Sequence, residues 1–194
     1  MKKELSEMSR KELWELFPII LKEHNPQYKE WYEIENKQLF CCIRKQDIKR
    51  ISHIGSSAVE GLIAKPTVDI LLEVDDNCVI AKLIEGLCEN SWTLMSSEYE
   101  PDLKLVFNKG YTPDGFAKKV YHLHVRYLRD WDELYFRDYL LDHPDVAVQY
   151  GKLKLGLWKE FEHNRDGYTE AKSEFIRRYK EKAKIKYKGR YIPK

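Results

Sequence analysis

One acidic residue, Asp69, lies in the middle of an apolar, β-prone segment that runs from Thr67 to Val74. Side chains alternate between the two faces of a strand, so Asp69 is predicted to share its face with Leu71 and Glu73. A carboxylate in so apolar a strand carries a large desolvation cost unless it is paired or binds a metal ion. This position is therefore the first candidate for chemistry in the chain.

A second segment presents three polar side chains on one face of a predicted strand. Residues 120–127 alternate clearly, so His122, His124 and Arg126 point one way and the apolar residues between them point the other. Two imidazoles at this spacing could bind a metal ion, act as acid or base, or contact phosphate. A half-buried, hydrogen-bonded strand face explains the same pair, and the pattern leaves both interpretations open.

The rest of the chain predicts helices at both ends and strands between them. Helical patterns begin at Ser9 and cover 27–44, 79–87 and most of the chain from 130 onward, with Thr169 as the expected N-cap of the last helix. Strand patterns cover 51–54, 67–74, 92–95, 103–107 and 120–127, with a hairpin loop over 108–118. Helices around a mixed β core with one crossover helix predict an α/β or α+β domain.

The composition is that of an ordinary globular protein. The chain has 194 residues, enough for one domain with a proper core, of which 43% are hydrophobic and 34% charged. There is no apolar run of about 18 residues and no signal-peptide pattern, so we expect a cytoplasmic protein without a membrane partner. The four cysteines form no CxxC pair, so neither a disulfide framework nor a zinc site is predicted.

The net charge of +2 is unevenly distributed along the chain. Residues 177–194 contain nine Lys or Arg residues and one acid, which gives this tail a net charge of +8. A solvated helix end explains such a run of charge. The alternative is an arm that attracts anions, either a nucleotide or RNA.

The segment His53–Ile70, HIGSSAVEGLIAKPTVDI, resembles the GrpB family (UPF0157), a minimal branch of the nucleotidyltransferase (polymerase-β-like) superfamily. Gly55-Ser56 followed thirteen residues later by Asp69 is similar to the opening motif of that superfamily. Further resemblance to the family lies in His24–Leu39, His122–Val125 and Tyr168–Ile176. The resemblance implies one nucleotidyltransferase-like domain over 1–194, with a helical extension at 1–22 and a helical C-terminal part at 130–194 that includes the basic tail.

The resemblance also implies where a nucleoside triphosphate and a metal would bind. The turn formed by Gly55, Ser56 and Ser57 would contact the phosphates, because glycine allows a close approach of backbone N–H groups. Asp69 would bind a divalent ion, Mg²⁺ or Mn²⁺, through its carboxylate oxygens.

Other residues would complete this implied site. His122 and His124 stand where the superfamily places a later acid, so they would share metal binding and catalysis with Asp69. Lys65, Arg126 and Lys172 would be the cations that bind phosphate. Lys172 is expected in the first turn of a helix, where the N-terminus also favours an anion.

One position departs from the superfamily pattern. Leu71 stands where a second acid is expected. Glu73 lies on the same face about 6–7 Å further along the strand than Leu71, too far to replace that acid. Two functions therefore remain open. One is metal-dependent transfer of a nucleoside monophosphate from a triphosphate to a hydroxyl acceptor that the sequence does not identify. The other is a nucleotide-binding module of the same fold without that catalysis.

Overall fold

The computed structural model describes residues 3–193 and contains a five-stranded mixed sheet flanked by helices, so the predicted α/β (α+β) class is confirmed. The predicted domain range also includes Met1, Lys2 and Lys194, which lie outside the described residues. The helices are α1 (Arg10–Leu16), α2 (Gln27–Cys42), α3 (Ile80–Glu89), α4 (Asp132–Asp142), α5 (Pro144–Phe161), α6 (Arg165–Ala171) and α7 (Ser173–Lys186). The strands are β1 (Ile48–Ile54), β2 (Val68–Val74), β3 (Thr93–Glu98), β4 (Lys104–Thr112) and β5 (Gly115–Tyr127). Within residues 3–193, no helix is long and apolar enough to cross a membrane.

The strand order puts the two segments with predicted site residues side by side. The order is β1-β2-β5-β4-β3, and only the central pair β2 and β5 is parallel. In that pair Asp69 is directly opposite His122, and Leu71 is opposite His124. Paired residues share a sheet face, so Asp69 and His122 meet at one end of the sheet.

The two faces of the sheet are covered by different helices. The face that carries Ile70 and Leu72 packs against α2 and α3 and forms the largest cluster of buried apolar residues. On the opposite face Leu71 packs with Ile54 and with Leu134 of α4. Fully burying one such side chain contributes about 1.5–3 kcal/mol, so both faces hold the helices firmly against the strands.

The hairpin loop predicted over 108–118 is wrong, because most of that segment is strand. β4 runs through Thr112 and β5 begins at Gly115, so the loop is a two-residue turn. The Thr112 hydroxyl donates to the Gly115 carbonyl at 2.9 Å and accepts from the Asp114 N–H at 3.2 Å. Gly115 has φ of +104°, which few other residues adopt. Glycine in this segment closes a tight turn instead of marking a long loop.

The predicted N-cap at Thr169 is also wrong. Asn164 caps α6, and its side chain accepts from the Gly167 N–H at 2.9 Å, a role in which asparagine is among the best residues. Thr169 lies inside α6 and donates to the Arg165 carbonyl. Lys172 separates α6 from α7 and is the residue immediately before α7, so it still lies at a helix N-terminus.

The basic C-terminal segment is paired in part with acids on α4. Lys180 and Lys184 form salt bridges with Asp132 at 2.9 and 2.6 Å. Beyond the end of α7, Arg190 pairs with Asp138 at 2.8 Å. The uneven charge of the sequence is therefore partly balanced when the tail folds along α4, which favours a structural role for these residues.

Asp138 connects that tail to the strand end that precedes the glycine turn. Its carboxylate accepts hydrogen bonds from the Arg137 and Arg190 guanidinium groups and from the Tyr191 hydroxyl. Arg137 also donates to the main-chain carbonyl of His53 at 3.0 Å. The group fixes the last residues of β1, and through them the start of the turn.

We predict that Asp138→Asn destabilises the protein. Asparagine removes the negative charge from three donors, and hydrogen bonds to charged groups contribute about 1.5–3 kcal/mol each to stability. Urea denaturation should show that the free energy of unfolding falls by at least about 1.5–3 kcal/mol. The matched control is Asp145→Asn, an exposed acid in the first turn of α5, which should lose only the about 0.3–1 kcal/mol of its interaction with the helix N-terminus. Equal effects of the two substitutions would contradict the proposed role of Asp138.

Candidate functional site

A cavity of about 240 Å³ lies at the junction between the end of β1 and the start of β2. Seven of the nine site residues predicted from the sequence line it: Gly55, Ser56, Ser57, Lys65, Asp69, His122 and Lys172. The other two, His124 and Arg126, are not among the described residues of its wall. Further wall residues come from α5, α6, the segment before α2 and the residue before β2, and are Ile19, Leu21, Thr67, Tyr150, Lys154, Arg165, Tyr168 and Thr169.

The glycine turn at Gly55 lies in close contact with the Asp69 carboxylate. Gly55 has φ of +73° and ψ of −171°, a conformation essentially restricted to glycine. A Cβ atom placed on Gly55 would collide with the Oδ2 atom of Asp69. The residues Ser56–Ala58 then form a single 3₁₀ turn. Glycine is required here both by the backbone angle and by the nearness of the carboxylate.

A directed chain of hydrogen bonds runs from Lys65 to Asp69. The Lys65 Nζ atom donates to the Tyr111 hydroxyl at 3.4 Å, and that hydroxyl lies 2.8 Å from His122 Nε2. The Nδ1 atom of His122 lies 3.0 Å from Asp69 Oδ1. Burial lowers the pKa of His122 although Asp69 partly opposes this, so the ring is neutral at pH 7. The neutral ring therefore donates from Nδ1 to Asp69 and accepts at Nε2 from Tyr111.

This chain leaves Asp69 ionised. Burial raises the pKa of the carboxyl group. The hydrogen bond from His122 and the positive charge of Lys65 lower it by a larger amount, so the pKa lies below its usual value. Both nitrogen atoms of His122 are already engaged in hydrogen bonds.

The donors at this place do not fit the metal centre predicted from Asp69, His122 and His124. His122 has no lone pair left for an ion, since Nε2 accepts from Tyr111. Leu71, at the position of the expected second acid, is fully buried against α4. In the described part of the chain, no group of three or more His, Cys, Asp or Glu residues could hold a metal ion. Among the described residues of the cavity wall, Asp69 is thus the single carboxylate.

His124 and Arg126 lie further along β5, away from the cavity. His124 is opposite Leu71 in the sheet. Arg126 is 7% exposed, and its Nη1 atom donates to the carbonyl oxygens of Leu105 and Val125. Alternation correctly put both residues on the face of His122, but each step of two residues moves a side chain about 6–7 Å along the strand. Arg126 makes structural hydrogen bonds in this position.

Lys154 lines the cavity but was not predicted from the sequence as a site residue. It is 3% exposed, and its Nζ atom donates to Ser56 Oγ at 2.9 Å and to the carbonyl of Ile63. A lysine ammonium has three donors, so one remains for a ligand. The signal was present in α5, because Lys154 follows the buried positions Tyr150 and Gly151 at helical spacing.

Three lysines and one arginine converge on this cavity from separate elements. Lys65, Lys154 and Lys172 contact hydroxyl, carbonyl or ring groups and no carboxylate of the described residues. Burial lowers the pKa of Lys65 and of Lys154 to about 7 and that of Lys172 to about 8, with neighbouring positive charge acting in the same direction. Arg165 is one of those neighbours, and it also lines the cavity.

Two hydroxyl groups in the cavity wall are buried without a hydrogen-bond partner among the described residues. They belong to Thr67, which is 2% exposed, and to Tyr168, which is 6% exposed. Burial raises the pKa of Tyr168 to about 12, so its hydroxyl keeps the proton. Buried polar groups are almost always satisfied in folded proteins. Both residues line the cavity, so a ligand with acceptor atoms is one way to satisfy these hydroxyls.

We predict that Gly55→Ala destabilises the protein more than Gly61→Ala. Both glycines have φ of +73°, but a Cβ atom at Gly61 meets nothing within 4 Å. The control should lose about 1–2 kcal/mol from its left-handed backbone angle alone. Gly55→Ala adds the collision with Asp69 and should lose at least about 1–3 kcal/mol more. Urea denaturation of both variants measures the difference, and equal losses would refute the close contact.

The buried lysines predict a pH-dependent stability. In the unfolded chain lysine has a pKa of about 10.4, so between pH 7 and that value the unfolded state binds more protons than the folded state. The free energy of unfolding should therefore rise with pH above about 7, by up to about 1.4 kcal/mol per pH unit for each such lysine.

Urea denaturation at several pH values above neutrality, with Lys154→Met beside the wild type, checks this prediction. The variant should show a smaller slope with pH, because it removes one buried titrating group. Lys188→Met, which replaces an exposed lysine, is the control and should keep the wild-type slope. An unchanged slope in Lys154→Met would mean that Lys154 stays charged in the folded protein.

Comparison with known proteins places this chain in a family. The family model described as GrpB protein matches residues 18–182. The chain is 32% identical over 161 residues to the glutamate-rich protein GrpB of Alkalihalophilus pseudofirmus, which covers 81% of this chain and 91% of that protein. It is 38% identical over 133 residues to UPF0157 protein PA4798 of Pseudomonas aeruginosa, covering 66% of this chain and only 52% of that longer relative. The crystal structure of conserved protein GrpB from Enterococcus faecalis matches with a TM-score of 0.75 and 27% identity, over 87% of this chain and 99% of that one. The chain belongs to the GrpB family.

Proposed function

We propose that the protein binds the phosphate groups of a nucleoside triphosphate in the cavity beside Gly55. The observation that carries this proposal is the balance of charge in the cavity wall. Lys65, Lys154, Lys172 and Arg165 face one ionised acid, Asp69, and that acid is already hydrogen-bonded to His122. Lys154 is buried and Lys65 and Lys172 are half-buried, and such cations are costly without a counter-charge, which a phosphate chain supplies.

The hydroxyl groups of the wall support the same ligand. Ser56 and Ser57 lie in the turn after Gly55, and Thr67 and Tyr168 have buried hydroxyls that are free to donate. Phosphate oxygens are acceptors, and charge-assisted hydrogen bonds to them are roughly twice as strong as neutral ones. The resemblance of the His53–Ile70 segment to the nucleotidyltransferase superfamily suggests a nucleoside triphosphate as the source of that phosphate.

A second candidate is transfer of a nucleoside monophosphate to a hydroxyl acceptor. The position of Asp69 favours it, since this carboxylate lies against the glycine turn as the resemblance implies. Nucleotidyl transfer normally uses two metal ions, and the cavity wall offers one carboxylate. We therefore rank a nucleotide-binding module above an active transferase.

Binding of ATP, GTP, CTP and UTP to the purified protein tests the proposal. A ligand that binds only the folded state adds about 2.7 kcal/mol to stability at 100 times its Kd, which thermal unfolding detects readily. Lys172→Gln should weaken binding about 10–100-fold, the loss expected for a hydrogen bond to a charged group. Lys188→Gln, in the exposed tail, should bind like the wild type.

Two outcomes separate the candidates. Absence of any shift with all four nucleotides contradicts both of them. Release of pyrophosphate that requires Mg²⁺ or Mn²⁺ and disappears in Asp69→Asn would establish the transferase, whereas binding without turnover would support the nucleotide-binding module.

A further inference from the structure

The size of the cavity restricts what part of a nucleotide it can hold. Its volume is about 240 Å³, whereas pockets that enclose a drug-sized ligand measure about 300–1,000 Å³. A whole nucleotide therefore does not fit inside, but a phosphate chain is smaller. Most of the polar groups that line it are cations and hydroxyls, which recognise phosphate oxygens.

The charge of the wall matches a phosphate chain that carries no metal ion. In a metal-dependent site, protein carboxylates and phosphate oxygens share the cation, and the acids supply part of its shell. Here the second acid is replaced by Leu71, a core residue, and one oxygen of the remaining acid, Asp69, is hydrogen-bonded to His122. The positive charge that an ion would bring is already supplied by Lys65, Lys154 and the other two cations of the wall.

We propose that the cavity binds a polyphosphate as the free anion, without a divalent ion, and that inorganic triphosphate is a ligand in its own right. This inference rests on the proposed phosphate-binding function. The lysines take the place of Mg²⁺: Lys154 reaches the anion from beside Ser56, and Lys65 and Lys172 neutralise its other oxygens. A Mg²⁺ ion on the phosphates would add positive charge next to these cations and weaken binding.

Asp69 has a definite effect under this proposal. Its negative charge lies in the cavity wall and repels a bare phosphate chain, so removing that charge should strengthen binding. In Asp69→Asn the side-chain oxygen can still accept the hydrogen bond from His122, which preserves the contact seen at 3.0 Å. If Asp69 instead held a metal ion on the phosphates, the same substitution would weaken or abolish binding.

Isothermal titration of the full chain with sodium tripolyphosphate and with ATP, each in EDTA and in excess Mg²⁺, tests the inference. In EDTA the two ligands should bind within about threefold of each other, and excess Mg²⁺ should weaken both. Asp69→Asn should bind tripolyphosphate in EDTA at least as tightly as the wild type. Lys154→Met and Lys172→Gln should each bind it about tenfold or more weakly, and the second variant covers the case in which the first fails to fold.

The results that overturn the inference differ from those that overturn the proposed function. Binding of ATP only with Mg²⁺, or binding of ATP but not of tripolyphosphate, would reject the metal-free polyphosphate site and leave nucleotide binding intact. Loss of tripolyphosphate binding in Asp69→Asn would reject it as well. If neither ligand binds in any condition, the phosphate-binding function itself is wrong.

Discussion

The close contact between Gly55 and the Asp69 carboxylate is the constraint on which the site depends. The chain turns sharply after β1 at this contact, and glycine is required there because no side chain fits between the two residues. The sharp turn puts Ser56 and Ser57 beside the start of β2, where Lys154 reaches Ser56 from α5. Displacing the turn would separate the hydroxyls from the lysines. This explains why α4 also holds the preceding strand end, through the hydrogen bond from Arg137 to His53.

The parts of the site that lie within the sheet could be predicted from the sequence. Alternation placed Asp69 on one face of its strand and His122 on one face of another, and the parallel pairing of β2 and β5 makes them neighbours. Lys154, Arg165 and Tyr111 could not be found this way. Their positions depend on how α5 and α6 pack across the end of the sheet and on a hairpin that extends β4 well past its predicted end. Sequence periodicity gives the face of an element, but the packing of distant elements decides which faces meet.

The lysines of the cavity, with Lys154 buried and Lys65 and Lys172 half-buried, do not favour stability. A lysine enclosed without a carboxylate lowers stability when it is charged, and its pKa falls in response. The pKa values of all three lysines are lowered, and perturbed pKa values tend to cluster at functional sites. Structural ion pairs elsewhere in the chain follow the opposite rule: Glu73, which is fully buried, is matched by Arg50.

Leu71 connects the fold to the chemistry that the cavity can support. An acid at this position would lie against Leu134 and Ile54 beneath α4, where no water reaches it and none of the cations of the cavity wall contacts it. Leucine instead joins the apolar contact that keeps α4 on the sheet, and α4 in turn carries Arg137 and Asp138. The packing that orders the turn is thus incompatible with a second acid beside Asp69. Without a second acid, the charge of the cavity wall is mainly positive. Part of that positive charge comes from Lys154 of α5 and Arg165 of α6, and it allows the site to bind an anion.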